Sequence, residues 1–83
     1  MTRSDLLKRI KQRPFFPFRL VLTEGTSYEV RHPEQIMVAR DSAVIGLPSQ
    51  PEQDFFETTV LVDLFHVVRL EPMPAGAATT PTA

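Results

Sequence analysis

From Pro17 to His32 the chain alternates apolar and polar positions in two runs around a glycine-containing break. Phe18, Leu20 and Leu22 recur at every second position, and after Thr23-Glu24-Gly25 the alternation resumes through Tyr28 and Val30. This is the pattern of a β-hairpin. A three-residue loop at Thr23-Glu24-Gly25 sets Phe18 opposite Val30, Leu20 opposite Tyr28 and Leu22 opposite Thr26, all on one face. It also sets Arg19 opposite Glu29 on the other face, an opposite-charge pair. A two-residue loop would put Leu20 against Glu29 and mix the faces. The pattern therefore predicts the three-residue loop, with Gly25 in the left-handed conformation.

Ahead of the hairpin, Leu6, Leu7 and Ile10 fall at helical spacing and predict a short amphipathic helix over about residues 3–13. Thr2 or Ser4 is placed to cap it, Asp5 lies in its first turn, and Asp5 and Arg9 form an i,i+4 pair. Pro14 ends it. Pro14-Phe15-Phe16-Pro17-Phe18 reads as an extended connector whose phenylalanines seal the helix against one end of the sheet. Beyond His32-Pro33-Glu34-Gln35, strands are expected over 36–39, 43–47, 55–62 and 66–71. Arg40-Asp41-Ser42 and Asp63-Leu64-Phe65 supply turns, and Pro48 to Asp54 a polar, mobile loop. Val68 and Leu70 are expected to share a face with His66. Residues 73–83 hold no charge and no large apolar group after Met73, so a disordered tail is expected there. The expectation is one domain over residues 1–72, mainly β with one N-terminal helix. Its sheet is a small five-stranded antiparallel barrel or a strongly bent sheet.

Composition narrows the picture. A chain of 83 residues has a thin core, because a domain this small buries only about 60–65% of the surface its unfolded chain exposes. There is no cysteine, so disulfides and thiolate metal sites are excluded. No apolar run approaches the roughly 20 residues of a membrane span, so no membrane partner is expected. The first residues carry no signal-like apolar region, and a cytoplasmic location is the default expectation. The net charge of −1 conceals an asymmetry: residues 1–20 carry six bases and one acid, the remainder three bases and nine acids. With a thin core and many large apolar groups, the chain is expected to be a homo-oligomer, with a two-fold dimer favoured. Phe55 or Phe56 is expected at its interface. Lys8, Arg9 and Lys11 form the basic part of the candidate interaction surface, facing the acidic sheet of a second copy or another anionic partner.

Candidate chemistry is sparse. His32, Glu34, Asp63 and His66 are the only residues that suggest a polar site, as two imidazoles and two carboxylates suit a divalent ion. Their spacing matches no ligand motif. No serine sits in a nucleophile elbow and the three glycines are isolated, so neither nucleophilic catalysis nor a phosphate loop is indicated. The expectation is a non-enzymatic protein with no catalytic residue, no metal ligand and no cofactor.

The order of one helix and about five short strands, with a brief turn before the last, resembles the small SH3-like and Sm-like barrels over roughly residues 3–72. In the Sm-like family RNA binding depends on an Asx residue between the second and third strands and on an Arg-Gly-Asp-like turn between the last two. Here Pro33-Glu34-Gln35-Ile36-Met37 holds no Asx, and Leu61-Val62-Asp63-Leu64 keeps only Asp63. A second resemblance lies in short motifs: Pro14-Phe15-Phe16-Pro17-Phe18, Leu22-Thr23-Glu24-Gly25, His32-Pro33-Glu34 and Val62-Asp63-Leu64. These are similar to a family of small uncharacterised bacterial proteins and imply no activity. The functional expectation is a protein-interaction or assembly module. The alternative is Sm-like nucleic-acid binding through the basic N-terminal helix.

Overall fold

The computed structural model describes residues 1–48 and 55–73. A helix, α1 (Arg3–Lys11), is followed by six strands: β1 (Phe18–Leu22), β2 (Ser27–Val30), β3 (Ile36–Val38), β4 (Ser42–Leu47), β5 (Thr58–Asp63) and β6 (Val67–Pro72). Three-residue 3-10 turns, Pro33–Gln35 and Leu64–His66, precede β3 and β6. The strands form two antiparallel sheets, ordered β2-β1-β6 and β3-β4-β5. The protein is thus mainly β with one N-terminal helix, as expected. It has six strands rather than five, in two sheets with no closed barrel among the described residues. The hairpin's two strands and the four segments expected beyond Gln35 already total six; Pro33, which has no N–H to give, starts the 3-10 turn that separates β2 from β3.

The hairpin forms in the register its alternation dictates. Phe18 pairs with Val30, Arg19 with Glu29 and Leu20 with Tyr28, and Leu22 N–H donates to Thr26 O at 2.8 Å. Gly25 has φ +101°, a left-handed conformation that costs a residue with a Cβ roughly 1 kcal/mol. The helix is shorter than expected, ending at Lys11. Thr2 caps it, its Oγ1 accepting from Asp5 N–H at 3.1 Å.

Leu6 of α1 joins the inner faces of both sheets in one core. It belongs to one buried cluster with Phe18, Leu20, Val30 and Val67 of the first sheet and Ile36, Ala43, Ile45 and Val62 of the second. Two boundaries depart from the alternation. Val67 of β6, not Val68, faces the core, because the β1–β6 register shifts between Val21 and Leu22 and a bulge inverts the facing. Strand β5 starts at Thr58 rather than Phe55. Met73 was expected to begin the tail, but it is buried and donates its N–H to Pro17 O at 3.2 Å. The expected tail beyond it, 74–83, and the central loop residues 49–54 lie outside the described residues.

One buried polar side chain ties the two sheets. The Oε1 of Gln35 accepts from Arg31 N–H at 2.8 Å. Its Nε2 donates to Glu29 O of β2 at 2.8 Å and to Gly46 O of β4 at 2.9 Å. Replacing Gln35 with alanine leaves one N–H and two carbonyls unpaired at a residue only 8% exposed. A buried polar group left without a partner costs about 1–3 kcal/mol. Gln35→Ala is therefore expected to destabilise the fold by about 2–4 kcal/mol, lowering the thermal midpoint by roughly 10–25 °C. A shift of only a few degrees in a calorimetric scan would contradict that role.

Candidate interaction surface

The two sheets present different outer faces. On the first, charged side chains alternate across the strands. Glu29 of β2 contacts Arg31 at 2.7 Å and Arg19 of β1 at 3.7 Å. Arg19 in turn reaches Glu71 of β6 at 3.8 Å, which contacts Arg69 at 2.7 Å. Each such partly exposed pair contributes little alone, but together they leave this face internally neutralised apart from one excess cation.

The outer face of the second sheet carries an apolar row across its middle, with Ser42 and Asp63 to one side of it and Thr59 to the other. Cross-strand register aligns Met37 with Val44 and Val44 with Leu61. Met37 is 71% and Leu61 70% exposed. The period of two places them opposite the core residues Ile36, Ile45 and Val62. Next in β4 comes Gly46, whose missing side chain leaves bare backbone. The ring of Phe56 lies on it, so that a Cβ at Gly46 would collide with ring carbons. Glu57 N–H donating to Leu47 O at 3.1 Å holds this segment to the strand. The path over Gly46 explains why Phe55–Glu57 is not strand.

Phe55 and Phe56 both remain partly exposed, at 56% and 42%, as an interaction residue requires. Phe16 and Phe65 are also exposed, while Phe15 is half-buried with its ring centroid 6.0 Å from that of Phe18. The connector therefore seals the core through Phe15 and Phe18, not Phe16.

The basic residues divide. Lys8 and Lys11 are exposed and line an open groove of about 470 Å³ with Arg3, Ser4, Leu7 and Gln12. Arg9 does not join them, and it is not among the ion-paired arginines of the described residues. Its guanidinium stands 5.4 Å from the centroid of the fully buried Phe18 ring, a cation–π contact, and its Nε is buried without a hydrogen-bond partner.

The polar candidates stay apart. His32 and Glu34 flank and occupy the first 3-10 turn. Asp63 caps the second turn, its Oδ1 accepting from Phe65 N–H at 2.9 Å. His66 is exposed at its end, and its carbonyl accepts from Thr23 N–H at 2.9 Å. Among the described residues no three His, Cys, Asp or Glu side chains gather as a metal site, and no helix is long and apolar enough to cross a membrane.

Sequence reasoning passed over Gln35, Met37, Gly46 and Leu61 as functional residues. For Gly46 a signal existed, since a lone glycine within a strand marks close approach of another group. No family model, curated protein or solved structure matches the chain.

The contact between Gly46 and Phe56 has a testable energetic signature. Gly46→Ala is expected to cost about 1–2 kcal/mol in the parent chain by evicting the ring. In a Phe56→Ala background it becomes neutral or stabilising, because alanine loses less conformational entropy than glycine in a strand. A double-mutant cycle with no coupling would show that the ring does not sit on Gly46.

Proposed function

We propose that the protein is a non-enzymatic interaction or assembly module that works as a homo-oligomer, with a two-fold dimer favoured. The observation that carries this reading is the row Met37–Val44–Leu61, exposed at both ends with Val44 half-buried between them and continuous with Phe56, on a sheet whose other face already holds the core. Contiguous exposed apolar surface on a small domain marks an interaction site. On this reading the two sheets are arms of a single strongly bent, SH3-like or Sm-like sheet. Two observations support that architecture. The chain leaves the first sheet in β2 and enters the second in β3 through residues 31–35, the last three a 3-10 turn, and Gln35 bonds to both sheets.

Light scattering on the purified chain tests self-association. At about 100 µM, where small interfaces of micromolar affinity are populated, the expected mass is twice the 9.4 kDa of the monomer. A monomer mass there, at low and high salt alike, would end this reading.

Nucleic-acid binding is the second reading, favoured by one observation. Arg3, Lys8 and Lys11 make no ion pair among the described residues, whereas the arginines of the first sheet do. Lys8→Gln with Lys11→Gln would then reduce the slope of log affinity against log salt on duplex DNA, by about 0.9 for each phosphate no longer neutralised. Absence of any retention on DNA at low salt removes this reading.

A further inference from the structure

We infer that the outer face of the β3-β4-β5 sheet is covered by the same face of a second copy, about a two-fold axis parallel to the strands. The inference rests on the self-assembly reading above and deepens it by naming the surface, the partner and the orientation.

The charge pattern selects the partner. Strands β3, β4 and β5 hold no lysine or arginine, and their single acid, Asp63, ends β5. A strongly charged partner finds nothing to pair with across Met37, Val44 and Leu61. An uncharged face, by contrast, meets its own copy with no like-charge repulsion, which an isologous contact requires.

The orientation follows from the register. Met37, Val44 and Leu61 form one row across three strands, with Val44 in the middle. An axis running over β4, parallel to it, lays β3 of one copy on β5 of the other. Met37 then meets Leu61 of the second copy, and this contact occurs twice. A two-fold axis across the strands would instead stack Met37 on Met37 and Leu61 on Leu61. Strands about 4.8 Å apart, β4 and β5 about 20 Å long and β3 about 10 Å, make a face of under roughly 300 Å² per copy, below the roughly 800 Å² per partner of a standard interface, so the dimer is a weak one populated at high concentration.

Reciprocity makes the orientation testable. Met37→Lys and Leu61→Glu each place two charges against apolar groups in a homodimer. Each variant alone is expected to scatter as a monomer at a concentration where the parent is a dimer, with an increase in Kd of at least about tenfold, equivalent to about 1.4 kcal/mol. Mixed in equal amounts, they should recover the dimer mass. In the mixed dimer one contact pairs the introduced ammonium with the introduced carboxylate, and the other remains Met37 on Leu61. Both positions are more than two-thirds exposed, so the far-UV circular dichroism of each variant should match the parent.

Other outcomes overturn the proposal in separable ways. Variants as dimeric as the parent move the interface elsewhere and leave self-assembly standing. Monomeric, folded variants whose mixture stays monomeric refute the parallel axis. A parent that is itself monomeric at about 100 µM removes both this surface and the self-assembly reading.

Discussion

The carboxamide of Gln35 is the joint on which the arrangement of the two sheets depends. It lies where the backbone leaves β2, turns through Pro33–Gln35 and enters β3. A turn there interrupts ladder hydrogen bonding and leaves backbone groups of both sheets without strand partners. An amide side chain suits this position because it carries an acceptor and two donors on one rigid plane. The acceptor takes Arg31 N–H, and the donors reach one carbonyl in each sheet. A carboxylate lacks the donors and an ammonium lacks the acceptor. The shared core of Phe18, Leu20, Val30, Ile36, Ile45 and Val62 sits between faces that this joint holds together.

From that geometry follows a division of labour among the outer surfaces. The first sheet satisfies its charges internally, through two glutamates each held between two arginines. The helix exposes cations and turns Arg9 inward onto the Phe18 ring. The second sheet places its apolar residues on both faces. This arrangement draws on the lopsided charge of the chain. Part of it is consumed in the β2-β1-β6 ladder, where Arg19 bridges both acids.

Much of the fold was legible because period-two alternation and local turn chemistry are short-range signals. The hairpin register followed from Phe18, Leu20, Tyr28 and Val30, the Asp63 turn from a single residue, and the helix cap was narrowed to Thr2 or Ser4. What escaped was set by non-local contacts. The β6 bulge depends on how β6 meets β1, and nothing within Val67-Val68-Arg69-Leu70 reveals it. Arg9 looked like a partner for Asp5 at i,i+4, but the aromatic face of Phe18, on the first strand, competed for it. The candidate surface was half legible. Phe56 stood out by its size and position, whereas Met37 and Leu61 resembled ordinary strand residues until register aligned them with Val44. Gln35, in a polar run, carried no sign that it would be buried.

The ring of Phe56 resting on Gly46 also bears on how β5 keeps its place. Strand β5 is at the edge of its sheet, and four of its six positions are exposed. Strands of this kind are weakly specified in register, since few buried side chains resist sliding. Gly46 supplies a detent. A slip of two residues along β4 would drive the ring onto the side chain of Val44 in one direction or past Leu47 in the other. One missing Cβ thus gives an exposed edge strand a single mechanical stop, set by the backbone of its neighbour rather than by the core.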